Sequence, residues 1–262
     1  MAACGVDARG GSDGDGGVGS GSDAGSGSDG GTNTPGTTAV YAHTASTLYR
    51  VDPDTYNLQM IGAFAFQNGS DQMTDIAIDK TGMMIGVSFT KVYRIDVNTA
   101  QTTELSAGLT GTFNGLSFIP ADQVGQTGDD VLVGTRNADG LVFRIDPATG
   151  QATQIGNMGS YSSSGDLVAV ANFGTVLTAD NGISPDRLVR LAPSTFAATP
   201  IGTSIGVGDI WGVAFWKDKI FGFTSAGQFL TIDPTTGMGT IIQNTGPAWW
   251  GAAVTTTAPV IL

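Results

Sequence analysis

The sequence predicts an all-β domain, a five-bladed β-propeller with four antiparallel strands per blade, and three observations carry it. A strand-and-turn segment recurs five times. Its copies lie 44, 50, 46 and 41 residues apart. The two ends of the repetitive region hold complementary parts of one further unit. A period of 40 to 50 residues containing several short strands is the signature of a radial β-sheet array.

The copies are Leu48-Tyr-Arg-Val-Asp-Pro53, Val92-Tyr-Arg-Ile-Asp-Val97, Val142-Phe-Arg-Ile-Asp-Pro147, Leu188-Val-Arg-Leu-Ala-Pro193 and Phe229-Leu-Thr-Ile-Asp-Pro234. Large apolar side chains alternate with polar or small ones, the period-2 pattern of a strand. A turn follows each copy, as in Asp146-Pro-Ala-Thr-Gly150. Asp bonds back onto the chain, Pro sets φ, and Gly in two copies suits a left-handed position, so a type I turn is expected. In the fourth copy Ala192 replaces Asp and Phe196 replaces Gly, so its turn should be less regular. A return strand such as Gln151–Gly156 completes a hairpin.

Two strands precede each hairpin: Asp75–Asp79 with Met84–Ser88, Asn114–Phe118 with Val131–Thr135, Asp166–Val170 with Thr175–Ala179, and Trp211–Phe215 with Ile220–Thr224. The repetitive region opens on Ala39–His43, which aligns with a second strand, and finishes on Trp249–Val254, which aligns with a first strand. The last blade therefore combines one C-terminal strand with three N-terminal ones, and the ring closes without an open sheet edge. An open β-solenoid would not need complementary ends. The propeller is expected over residues 38–257.

Residues 1–37 are almost all Gly, Ser, Asp, Ala and Thr, without an aromatic residue. Such a segment lacks the apolar surface to offset ordering entropy and is expected to be a disordered linker. Within it, Ser12-Asp13-Gly14-Asp15-Gly16-Gly17 has alternating aspartates but no bidentate acid to complete a calcium loop.

The net charge is −12, with 11 Lys and Arg. That excludes the basic footprint of a nucleic-acid binder and any polybasic membrane patch. One cysteine, Cys4, and one histidine, His43, leave neither a disulfide framework nor a His/Cys metal site. No metal or cofactor is expected, and partners are confined to a ligand or protein.

Met1-Ala2-Ala3-Cys4-Gly5 resembles the end of a bacterial lipoprotein signal, and the Gly/Ser/Asp-rich segment after it resembles the spacers of myxobacterial-type surface lipoproteins. The repeats resemble those of YVTN/WD40-like secreted bacterial propellers, with a consensus near LYRIDPxTGxxTxIG, over residues 39–254. The resemblance implies lipidation of Cys4, a membrane attachment through that anchor alone, and an outer-membrane or cell-envelope location outside the cytoplasm. It says little about activity.

First strands of blades line the central channel. Asp75, Asn114, Asp166, Trp211 and Trp250 align near their starts, with Asp209 and Trp249 close by, so these seven are the candidate ligand-binding residues at one channel mouth. Indole faces stack on sugar C–H surfaces and carboxylates accept from hydroxyls, which suits a glycan or a protein partner. For each residue a structural role stands beside this one: Asp and Asn bond nearby N–H groups, and Trp fills inter-blade space. The expectation is a monomeric, non-enzymatic, surface-tethered binding propeller with no catalytic residue. The alternative is a glycoside hydrolase that uses channel carboxylates as acid and base; a third reading is a structural envelope component.

Gly202-Thr-Ser-Ile-Gly206 matches G-x-S-x-G but falls on an outer strand and its turn rather than on a strand–turn–helix unit. Arg50, Arg94, Arg144 and Arg190 recur in register on third strands, three of them with an acid two residues on. An Arg–Asp ladder along one sheet face is the expectation.

Overall fold

In a computed structural model, twenty strands form five four-stranded antiparallel sheets arranged as a five-bladed propeller. The structure describes residues 39–136, 139–180 and 184–261; the expected linker and Cys4, the residue expected to be lipidated, lie outside them.

Blade II holds β4 (Asp75–Ile78), β5 (Met84–Val87), β6 (Val92–Ile95) and β7 (Thr102–Ser106). Blade III holds β8 (Gly115–Ile119), β9 (Val131–Thr135), β10 (Leu141–Ile145) and β11 (Ala152–Asn157). Blade IV holds β12 (Ser162–Val170), β13 (Gly174–Asp180), β14 (Arg187–Leu191) and β15 (Ala198–Ile201). Blade V holds β16 (Ile210–Trp216), β17 (Lys219–Thr224), β18 (Phe229–Ile232) and β19 (Gly239–Gln243). Blade I joins the two ends of the domain: β20 (Gly251–Val254) pairs with β1 (Val40–His43), followed by β2 (Thr47–Val51) and β3 (Leu58–Ala63). The closing register runs from Val40 opposite Val254 to His43 opposite Gly251.

Burial follows strand order. The four residues of β4, β5, β1 and β20 are all buried, whereas outermost strands such as β3 alternate between half-buried and exposed. Inner strands are therefore covered on both faces by adjoining blades, and read as continuous apolar runs rather than alternating ones. Aromatic contacts fill the seam between blades V and I: Trp249 meets Tyr49 and Phe223 edge to face at 5.2 and 5.3 Å.

The hairpin turns explain the repeat. Asp52, Asp96, Asp146 and Asp233 each accept two backbone N–H groups through one carboxylate oxygen, from the residues two and three positions on. The fifth residue then donates to the carbonyl of the first, so the loop is one residue longer than a simple type I turn. That fifth residue is left-handed in all five blades, not only where it is Gly150 or Gly237: Tyr56, Ala100 and Phe196 have φ of 64°, 58° and 61°. A left-handed Tyr or Phe costs about 1 kcal/mol, offset by what its side chain reaches. Phe196 is buried against Gly156 of the preceding blade, and Tyr56 packs on Phe221 and Phe229. The Ile-Gly at the end of the consensus is the other half of this contact: a Cβ on Gly156 would lie 2.5 Å from Phe196, and one on Gly202 would lie 1.9 Å from the Thr236 carbonyl oxygen. The fourth turn, without its aspartate, has a second left-handed residue, Ser194, as its sequence suggested.

The Arg–Asp ladder does not form. Among the described residues, none of Arg50, Arg94, Arg144 and Arg190 makes an ion pair, because the neighbouring carboxylates are taken up by the turns. Arg190 instead lies 4.9 Å from the Phe173 ring centre and donates to the Phe173 carbonyl.

One end of the channel is covered. The β8–β9 connection, with a short 3-10 helix at Ala121–Val124, sends Gln123 to the Val170 carbonyl and Asp130 to the Lys80 amide and Thr256 hydroxyl. The chain continues past residue 257, and Lys217 N–H donates to the Pro259 carbonyl.

Candidate functional site

The innermost strands decide what reaches the axis. Strand registers place Asp75, Gly115, Asp166, Gly212 and Gly251 at one level. Asn114, Trp211 and Trp250 each stand one residue before that level, so the sequence alignment of the five first strands was out of register by one in three blades. The error has a physical source: polar and aromatic residues were matched to Asp, whereas the equivalent of Asp here is Gly. A Cβ on Gly115 would lie 2.3 Å from Thr135 Oγ1, and one on Gly212 2.6 Å from the Gly251 carbonyl carbon. On Gly251 it would lie 2.1 Å from Asp75 Oδ1 and 2.4 Å from His43 Nε2. Two aspartates fill the axis, and the other three positions have no room for a side chain.

Innermost strands have a free edge, and their N–H groups need acceptors. Asp75 Oδ1 accepts from Ile76 N–H at 2.8 Å and Oδ2 from Leu116 N–H at 2.6 Å. Asp166 Oδ1 accepts from Leu167 N–H at 2.6 Å. Its Oδ2 accepts from Val213 N–H at 2.7 Å and, more weakly, Ala252 N–H at 3.4 Å. Every blade therefore gives one N–H to this pair of carboxyl groups.

The two carboxyl groups adjoin closely enough to influence each other's ionisation. Burial, and then the Asp166 charge beside it, hold the Asp75 carboxyl well above the ordinary carboxylate range. Burial raises Asp166 as well, against its hydrogen bonds from Val213, Leu167 and Ala252. We read the pair as holding at least one proton, because two adjoining charges without water cannot both persist. His43 stands beside them, with Nε2 at 3.6 Å from Asp75 Oδ1. Its Nδ1 is 2.8 Å from the Thr44 carbonyl, which assigns the proton to Nδ1. Burial lowers its pKa to about 4, so the ring is neutral at pH 7.

Above this floor the channel opens into a cavity of about 260 Å³. All five blades line it, through Thr74, Asn114, Gly165, Trp211 and Trp250 at the level just before the floor. Phe89, Thr112, Phe113 and Ser164 complete the wall. Trp211 and Trp250 are half-buried and meet at 90° with ring centres 6.2 Å apart. Several polar groups of the wall have their hydrogens directed inward. Thr74 Oγ1 donates to the Val87 carbonyl at 2.9 Å, and Ser164 Oγ to Asp186 Oδ2 at 2.7 Å. The Asn114 amide reaches the Ser163 carbonyl at 3.4 Å, while its Oδ1 is buried with no hydrogen-bond partner.

Of the seven candidates, Asn114, Trp211 and Trp250 line the cavity. Asp75 and Asp166 form its floor and are fully buried, so neither presents a free oxygen to a ligand. Asp209 is exposed on the preceding loop and does not line the cavity. Trp249 is fully buried between blades, the packing role weighed for it from sequence. Sequence reasoning missed Phe89, Phe113, Ser164 and Asp186. Phe89 and Phe113 sit in connections outside the strand register, and Asp186 precedes β14 at a position with no counterpart in the repeat.

Comparison with solved structures agrees with the architecture. The chain is similar to a chain of a nidogen–laminin complex, with TM-score 0.56 and 9% identity over 83% of this chain and 98% of that one. It is similar also to a chain from work on the de novo evolutionary emergence of a symmetrical protein, with TM-score 0.54 and 15% identity over 86% of this chain and 100% of that one. At these identities the likeness is one of fold alone. No protein-family model matches the sequence. No curated protein matches it. Fold and site thus define a class, the five-bladed β-propellers.

Proposed function

We propose that this chain is a non-enzymatic binding propeller whose ligand, a glycan unit or a group on a protein partner, enters the channel mouth. The observation that carries the reading is the aromatic cavity to which every blade contributes a residue, closed below by a buried floor. Concave, mostly apolar sites with a few converging polar groups are the usual form of ligand pockets. The two carboxyl groups that the glycoside hydrolase alternative needs are turned to five backbone N–H groups, and no feature of the mouth favours that alternative.

On this reading residues 1–37 are a spacer that holds a monomeric, secreted domain away from the outer membrane, attached through a lipid on Cys4. The lipoprotein-like Ala-Ala-Cys-Gly start and the spacer composition support it. Palmitate labelling of the full chain in a Gram-negative host should label the protein and be lost in Cys4→Ser; equal labelling of both would remove the anchor.

The mouth is tested by glycan arrays and calorimetry. Binding should be lost in Trp211→Ala with the fold retained. A ligand whose affinity is indifferent to both Trp211→Ala and Trp250→Ala would place recognition elsewhere.

A further inference from the structure

Resting on the mouth-binding reading, we infer that the cavity selects a compact alkylammonium group, such as a quaternary ammonium or a methylated lysine side chain. Three features converge on that chemistry.

The first is the wall. Phe89 from blade II, Phe113 from blade III, Trp211 from blade V and Trp250 from blade I bring four aromatic rings to one space of about 260 Å³. The two indoles meet at 90°, which makes a corner rather than a slot. A corner suits a rounded group, whereas a slot suits a flat ring. Ring faces carry negative quadrupole density and attract cations within about 6 Å, most strongly where water is excluded.

The second is the sense of the polar groups. Thr74 and Ser164 direct their hydroxyl hydrogens to Val87 and Asp186, and the Asn114 amide reaches toward the Ser163 carbonyl. The two hydroxyls leave acceptor capacity on their oxygens; Asn114 Oδ1 is buried without a partner and presents no surface to the cavity. Acceptors beside aromatic faces favour a positive, donor-bearing or polarised C–H group and disfavour an anion.

The third is charge. Among the described residues, no Lys or Arg side chain lines the cavity. Nearby cations are neutralised: Lys91 pairs with Glu104 at 2.9 Å, and Arg136 pairs with Asp139. The chain carries −12 overall. That charge contributes a weak attraction, and the rings contribute most of the selectivity.

The experiment compares choline with 3,3-dimethyl-1-butanol, its uncharged carbon isostere, by calorimetry and tryptophan fluorescence on the purified protein. Choline should bind about tenfold or more tightly than the isostere, the ratio expected of desolvated cation–π contact. Phe89→Leu, at an exposed position that should not disturb folding, should weaken choline several-fold and leave the isostere unchanged. A peptide amide of Nε-trimethyl-lysine, set against its unmethylated form, separates a protein source of the group from a free one. Equal affinity for choline and the isostere would overturn the inference and leave the mouth as an apolar site. Glycan binding lost in Trp211→Ala, with no response to either probe, would also overturn it while the mouth reading stood. Silence to choline, the isostere, the trimethyl-lysine peptide and glycans alike would overturn both.

Discussion

At the scale of single residues, the axis is governed by volume. One level of the channel accommodates two aspartates and three glycines, and a Cβ on Gly251 would collide with both Asp75 and His43. Overpacking of a filled core typically costs about 1–3 kcal/mol. Gly251→Ala should therefore lower stability by about that amount in urea titrations, with no loss at the mouth surface itself. Ala253→Gly, two positions along β20 from Gly251, is a useful contrast, since it removes rather than adds volume. Unchanged stability in Gly251→Ala would mean that the two aspartates do not occupy the axis. The consensus glycines obey the same logic farther out: Gly156 is the receiving surface for Phe196. Gly156→Ala should cost a comparable amount in the same titrations.

At the scale of elements, β20 contributes far more than one strand of hydrogen bonds. It pairs with β1 along its whole length, places Gly251 beside Asp75, and offers Ala252 N–H to Asp166. Trp249, just before it, fills the seam against Tyr49 and Phe223. Truncation after residue 248 should therefore expose β1 and β2 to rapid amide exchange along with the V–I seam. Retained protection of β1 would contradict closure by this strand. The hairpin turns belong to the same scale. Four aspartates spend their carboxylates on turn N–H groups, and this is why the recurring arginines find no acidic partner two residues away. A pattern that suggested an ion-pair ladder is a pattern of turns.

At the scale of the whole molecule, two buried carboxyl groups, at least one of them protonated, join all five blades at the axis. The consequence is a pH dependence with a definite sign. Asp75 has a folded pKa raised above the ordinary value of about 3.9. Its contribution to stability is therefore complete below that value and is lost as pH rises through the folded pKa. His43 acts the opposite way: its folded pKa of about 4 lies below the ordinary value, so stability is lost as pH falls from about 6.5 toward 4. Between those values the two effects oppose each other. Above pH 6.5 the histidine effect is complete and the aspartate pair should dominate the slope. Stability should then decline with rising pH by about 1.4 kcal/mol per unit for each proton the pair releases. Urea titrations from pH 6.5 to 9 check this, and Asp75→Asn, which cannot release a proton, should flatten the decline. An identical slope in the variant would show that the pair holds no proton.

The sequence by itself determined the repeat, the number of blades, the strand order within each and the way the ends close. These follow from local patterns that survive without knowledge of packing: period-2 alternation, Asp-Pro turns and a spacing near 45 residues. It also contained the two tryptophans and the asparagine of the mouth, because they precede strands whose positions the repeat announces. Only the tertiary structure decided which carboxylates a ligand can meet. Asp75 and Asp166 resemble mouth residues in a linear reading, yet their environment is made by N–H groups from five separate blades brought to one axis. Phe89 and Phe113 enter the cavity from connections that no periodicity marks. A strand's direction can be read from its own residues; what lies across the channel depends on the closed ring.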